Sequence, residues 1–328
     1  MSSPNAVEEF RGATRVVETC AAVEPGESVL VVTDWRVEDV AHHVAAAAEA
    51  TGAEVTMTAM EPREYDGNEP PATVAAAMRE ADVVITPVHR SITHSAATRA
   101  ALDSGARVVS LVKFTEEQLR TGGLYADYEA MRPHCRALAE TFGDADEARV
   151  TSPQGTDLTC SLAGRDGNSH AGIADEPGIF TALVHIEANV SPVEGTTEGT
   201  AVFDGSIPNL DIGVLEEPVE MEIAEGAVTS VEGGAAADRI AEVWADHDDP
   251  AVYNVAQLAV GLNPECTAFN GWFSNEHGKY GNVHLGIGTS SNLGGTTRAP
   301  VHFDAMMAEA TLELDGETLV EDGDPVFL

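Results

Sequence analysis

Four β-branched runs separated by alanine-rich stretches, all within the first 112 residues, constrain this chain more than any other feature. The runs are "SVLVVTD" (28–34), "AEVTMTAM" (53–60), "DVVITPV" (82–88) and "ARVVSLV" (106–112). Between them lie "VEDVAHHVAAAAEATG" (37–52), "PPATVAAAMREA" (70–81) and "SAATRAALDSG" (95–105), read as helices. Proline opens the second of these, and Gly52 and Gly105 supply the C-terminal stops of the other two. Parallel strands cannot be joined by tight hairpins, so a repeated strand–helix–strand order predicts a doubly wound parallel sheet with right-handed crossovers. No GxGxxG or GxxxxGK[ST] follows any strand, and a nucleotide role has no motif behind it.

From about residue 150 the pattern changes. Glycine, threonine and short apolar segments dominate, as in "TSPQGTDLTCSL" and "VSPVEGTTEGTAVFDGSI". The alternation in "VEMEIAEGAVTSVEGG" predicts a hairpin turning near Glu225-Gly226, and "AAADRIAEVWADH" (235–247) a helix. With 328 residues, 43% of them apolar, the chain can bury two cores. The expectation is an α/β domain over 1–150 and a β-rich α+β metal-binding domain over 151–328.

Charge limits the partners. There are 55 acidic residues against 17 basic, a formal charge of −38, and only Lys113 and Lys279 are lysines. Such a surface repels itself at low ionic strength and suits high salt, as in a halophile. It offers no basic patch, which argues against nucleic acid. Cys20, Cys135, Cys160 and Cys266 form no CxxC pair and read as free thiols in a reducing compartment. The start "MSSPNAVEEF" has neither the basic nor the apolar part of a signal peptide, and no window is apolar enough for a membrane span. A cytoplasmic protein without a membrane partner is expected.

The chemistry concentrates near the end of the chain. In "APVHFDAMM", His302 and Asp304 are two apart and share one face of a strand. Imidazole nitrogen with carboxylate oxygen suits zinc, cobalt, manganese or iron, although a hydrogen-bonded pair closing a buried strand explains the spacing equally well. His284 in "NVHLGIG" is a second histidine in an apolar run followed by glycines. Glu187, in "LVHIEANVSPVEG", would be costly to bury unless paired or metal-bound, and His185 shares its face if the segment is extended. Glu265 and Glu276 are loop acids, each a candidate general base or plain surface charge.

These segments resemble the thermophilic metalloaminopeptidase family, of the aminopeptidase T and leucyl aminopeptidase type, from about Pro25 to the C-terminus. The marks are "GESVLVVTD", "EPPATVAAAMREADVVITPVHRSITHS", "SGARVVSL", "TSPQGTDLT", "EANVSPVEGTTEGTAVFDGSI" and "GLNPEC…NEHGKYGNVHLGIGTSSNLGG…APVHFDAMM". The resemblance implies metal ligands at Glu187, His284, His302 and Asp304, and a homodimer. It departs at two places. Gln257 stands where the family has a second glutamate, and Ser291 where it has a tyrosine. An amide is a weaker ligand than a carboxylate, so one metal fits better than two. A related subgroup, the 2,5-dihydroxypyridine dioxygenases, holds a single ferrous iron in a two-His, one-carboxylate site.

The expected function is accordingly a metal-dependent aminopeptidase-like hydrolase. It would remove N-terminal residues from small peptides with metal-activated water, using Glu265 or Glu276 as base and Glu187, Gln257, His284, His302 and Asp304 about the metal. The alternatives are a ferrous ring-cleaving dioxygenase acting on a small molecule, and a binding protein with a degenerate site.

Overall fold

In a computed structural model that describes residues 5–93 and 95–328, the four N-terminal runs pair as parallel strands. The sheet order is Glu54–Met60, Ser28–Asp34, Val83–Val88, Arg107–Val112 and then Phe180–Ala182. Helices Glu38–Ala50, Ala72–Glu80 and Ala96–Asp103 make the crossovers. Every residue of Val83–Val88 is buried, as a central strand covered on both faces requires. Ser95 caps the third helix by accepting from the Thr98 N–H. Leu30, Val32, Val84, Met78, Ala101 and Val108 pack within one apolar core.

The chain forms two compact units, but their boundary is not at residue 150. One unit comprises Met1–Tyr128 with Gly172–His185, the other Glu129–Ala171 with Ile186–Leu328. The reason lies in strand pairing. Phe180–Ala182 adds in parallel to Arg107–Val112, with Val108 opposite Phe180, and draws its flanks back into the first unit. The second unit starts inside helix Tyr128–Asp144, which is absent from the expected run of elements.

The second unit is β-rich. Strands Val219–Ala224 and Ala227–Glu232 form the expected hairpin, and Glu225 and Gly226 take φ of 50° and 74° at its turn. Helix Gly234–Ala245 follows. An eight-stranded antiparallel sheet contains that hairpin. A separate five-stranded antiparallel sheet runs His302–Met307, Val283–Gly288, Val255–Gly261, Glu187–Val190, Asn168–His170. The fold class is thus the expected α/β unit with a β-rich α+β unit. Among the described residues, no helix is long and apolar enough to cross a membrane.

Candidate metal centre

Antiparallel register decides which side chains of the five-stranded sheet meet. Directly opposed residues point to the same side, and so do residues two apart on one strand. Asp304 opposes Gly286, which opposes Gln257; His302 opposes Gly288. His284 opposes Ala259, and Gly261 on the same strand opposes Glu187. One face therefore carries His302, Asp304, His284 and Glu187 around a floor of Gly286, Gly288, Ala259 and Gly261. Glycine lets neighbours come in where a Cβ would stand: Gln257, His302 and Asp304 at Gly286, and the Val301 carbonyl at Gly288.

A third imidazole arrives from the short helix Phe273–Gly278. Its backbone lies against Gly261, where an added Cβ would sit 2.5 Å from the His277 carbonyl oxygen and 2.4 Å from that of Lys279. Glycine permits that approach. His277 Nε2 then lies 3.1 Å from Asp304 Oδ2, and His302 Nε2 lies 3.3 Å from Asp304 Oδ1. His284 Nε2 is 3.7 Å from Glu187 Oε2. The His277 and His284 rings meet edge to face with centroids 5.9 Å apart.

The outward nitrogens fix the inward ones. His277 Nδ1 is 2.9 Å from the Phe273 carbonyl oxygen, and His302 Nδ1 2.9 Å from that of Thr289. A carbonyl can only accept, so both Nδ1 atoms carry protons. The neutral rings would then turn Nε2 lone pairs toward the Asp304 carboxylate, a repulsive arrangement unless a cation lies there. That cation is either a second proton or a metal. Glu187 Oε2 and His284 Nε2, 3.7 Å apart, are buried with no hydrogen-bond partner among the described residues, which adds two more donor atoms on this face. This donor set fits a divalent metal ion.

Protonation follows the same geometry. Burial opposes the charge of Asp304, but His302 and His277 outweigh it and hold the carboxyl well below the usual range. Both rings are raised in turn, burial being outweighed by Asp304. Burial pushes Glu187 up to about 7, against the pull of His277 and the Asn189 amide. Burial pushes His284 down to about 3, which keeps the ring neutral and its Nε2 free to donate a lone pair.

The other expected site residues fall elsewhere. Gln257 is buried on the site's face, its Cβ beside Gly286. Glu276 is fully buried, and its Oε1 accepts the Asn270 and Gly271 N–H groups at 2.8 and 2.9 Å, so this carboxylate ties down a loop. Glu265 is exposed in a turn that Asn263 Oδ1 holds through the Glu265 N–H. Neither is brought to the cluster. His185 lies in the turn after Phe180–Ala182 and belongs to the first unit, so it shares no strand with Glu187. Ser291 is exposed in the loop between the two histidine strands. His277, beside Glu276, is the member of the cluster that sequence patterning misses. Its one signal is an imidazole directly before a glycine, in a segment whose acid draws the attention.

The loop that carries Ser291 has its own anchor. Glu194 Oε1 accepts from Thr296 N at 2.6 Å and from Thr296 Oγ1 at 2.9 Å, while Arg165 pairs with Oε2 and donates to the Gly294 carbonyl at 2.8 Å. Partial burial is outweighed by these donors, and the Glu194 carboxyl is pushed down to about 2. A depressed acid contributes stability above its unfolded pKa, and that contribution is lost as pH falls through the folded value. Protection of the Thr296 amide from hydrogen exchange, corrected for intrinsic rate, should therefore fall between about pH 4.3 and the folded value near 2. Glu194→Gln should show the loosened loop already at pH 7; unchanged protection in that variant would remove the anchor from the account.

A second group of ligand-type atoms lies in the first unit. His43 Nε2 is 3.4 Å from both Glu9 Oε2 and Glu116 Oε1, and the three could hold an ion. Arg120 Nε approaches Glu9 Oε1 at 3.7 Å, so a guanidinium already shares the charge. That group reads as an ion-pair network between the N-terminal helix and its neighbours.

Comparison with known proteins corrects the expected activity. The family model described as 2,5-dihydroxypyridine 5,6-dioxygenase (NicX) matches residues 10–327. A 2,5-dihydroxypyridine 5,6-dioxygenase from Pseudomonas putida is 26% identical over 259 residues, 76% of this chain and 72% of the relative. Among solved structures, 2,5-dihydroxypyridine dioxygenase from Pseudomonas putida KT2440 superposes with a TM-score of 0.84 at 22% identity, covering 99% of this chain and 98% of that one. Wild-type AmpT from Thermus thermophilus superposes with a TM-score of 0.70 at 16% identity, covering 98% and 100%. The two structures share the fold, which is why the aminopeptidase resemblance arises. The family match overturns the peptidase, hydrolase and metalloprotease reading, and the absence of the second glutamate at Gln257 is in keeping with that. Matched from residue 10 to residue 327, the chain belongs to the 2,5-dihydroxypyridine 5,6-dioxygenase family.

Proposed function

We propose that this protein is a mononuclear Fe(II)-dependent dioxygenase that opens a dihydroxylated pyridine ring of the 2,5-dihydroxypyridine type. The observation that carries the reading is the Asp304 carboxylate faced by imidazoles whose Nδ1 atoms are already committed to acceptors. His284, His302 and Asp304 would hold the metal as two histidines and one carboxylate, an arrangement that leaves positions open for substrate and oxygen. Fe(II), when bound, would supply the activation of dioxygen and of the ring diol.

The protein's own groups have separable tasks. His277 donates Nδ1–H to the Phe273 carbonyl and, with its raised pKa, Nε2–H to Asp304 Oδ2. That leaves Oδ1, the oxygen facing His302, as the one with which Asp304 would hold the metal. Glu187, with a carboxyl near 7, can accept the proton of a ring hydroxyl at Oε2 and return it at neutral pH.

The test is direct. Protein purified in high salt and loaded anaerobically with Fe(II) should bind one iron per chain and consume dioxygen in step with 2,5-dihydroxypyridine, giving an open-chain product. A fully iron-loaded protein that leaves that ring, and related pyridine diols, intact would defeat the reading.

A further inference from the structure

Asn282 precedes the strand Val283–Gly288 and is fully buried. Its Nδ2 lies 3.2, 3.1 and 2.7 Å from the carbonyl oxygens of Glu276, His277 and Lys279. Its Oδ1 lies 2.7 Å from His284 Nδ1. The amide has only one tolerable orientation, because a flip would set its oxygen against three carbonyls. Its oxygen must therefore face His284, and His284 must carry its proton on Nδ1.

This matters because the opposite tautomer has its own attraction. His284 Nε2 is 3.7 Å from the Glu187 Oε2 atom. A ring free to choose would put its proton on Nε2, toward that carboxylate, and would block its own lone pair. From this competition we infer that Asn282 is the positioning residue that denies His284 the metal-blocking tautomer. The same amide grips the carbonyl of His277, so one side chain sets the ring of one histidine and the backbone of another. The inference rests on the metal reading above and concerns which proton that reading requires to be absent.

The test separates the two. In metal-free wild-type protein, nitrogen NMR of labelled imidazoles, assigned with His284→Gln, should find His284 as the Nδ1–H tautomer. Asn282→Ala should shift it to Nε2–H and weaken Fe(II) binding about 10- to 100-fold, the range typical of lost outer-shell partners. Asn282→Asp keeps an acceptor toward His284 but sets its second oxygen against the same three carbonyls; it should retain the Nδ1–H tautomer while melting far below wild type. An Nε2–H signal in wild-type protein would overturn the inference whether or not any variant folds. So would Fe(II) affinity in Asn282→Ala within twofold of wild type. Wild-type protein that binds no metal yet shows Nδ1–H would defeat the metal reading alone and leave the clamp standing.

Discussion

Asp304→Asn should give a folded protein with almost no iron and no measurable ring opening. The Asp304 carboxylate faces two imidazoles, His277 through Oδ2 and His302 through Oδ1. The amide can keep its oxygen on the His277 side and turn its NH₂ toward the His302 lone pair. With His277 protonated on both nitrogens, the polar atoms are then satisfied without a metal, and the site closes on itself. Removing one member of a buried charged pair typically costs about 3–5 kcal/mol. Here that cost should fall on the metal-bound state, which corresponds to roughly a hundred- to several-thousand-fold in Fe(II) affinity. Iron analysis, oxygen uptake and a melting curve of the metal-free protein check the three parts together. Iron retained at the wild-type level would mean the metal lies elsewhere. Iron lost together with a collapsed melting temperature would mean Asp304 serves the core and not the site.

Period-two patterning explains why much of this site is legible in the sequence. His302 and Asp304, His284, and Glu187 each sit in strands, where alternation alone assigns each side chain its face. The parallel unit is legible for a similar reason, since its strands and helices follow one another with short connections. What escapes depends on contacts without a sequence period. His277 reaches the cluster because Gly261, sixteen places earlier on another strand, lets the helix Phe273–Gly278 press against the sheet. Glu276, its neighbour, looks like a base and instead closes a local loop through two backbone N–H groups. Gly172–His185 returning to the first unit rests on a three-residue edge strand, too short for propensity to announce. The activity is a different matter. Fold likeness extends to AmpT, so the choice between peptide and ring turns on the family match and on one amide at Gln257.

The floor of the site gives the second large effect. Gly286→Ala would place a methyl group 2.8 Å from His302 Cε1, 2.8 Å from Gln257 Cβ and 3.1 Å from Asp304 Oδ1. Two of these contacts are closer than carbon atoms tolerate, so something must move. Gln257 and Asp304 are held by the strands on either side, Gly286 being opposed to both, and the backbone cannot slide without breaking register. The yielding group is His302, which is only partly buried and is the one of the three on a ring that can swing, at the expense of its contacts to Thr289 and Asp304. Overpacking of this kind costs about 1–3 kcal/mol of stability, and displacement of a ligand ring by even a fraction of an ångström is felt directly at the metal. The variant should melt several degrees lower, bind Fe(II) at least about 10-fold more weakly and turn over correspondingly more slowly. Full iron loading would show that the displaced His302 ring is no ligand, and wild-type iron content and turnover together would show that this face of the sheet does not hold the site.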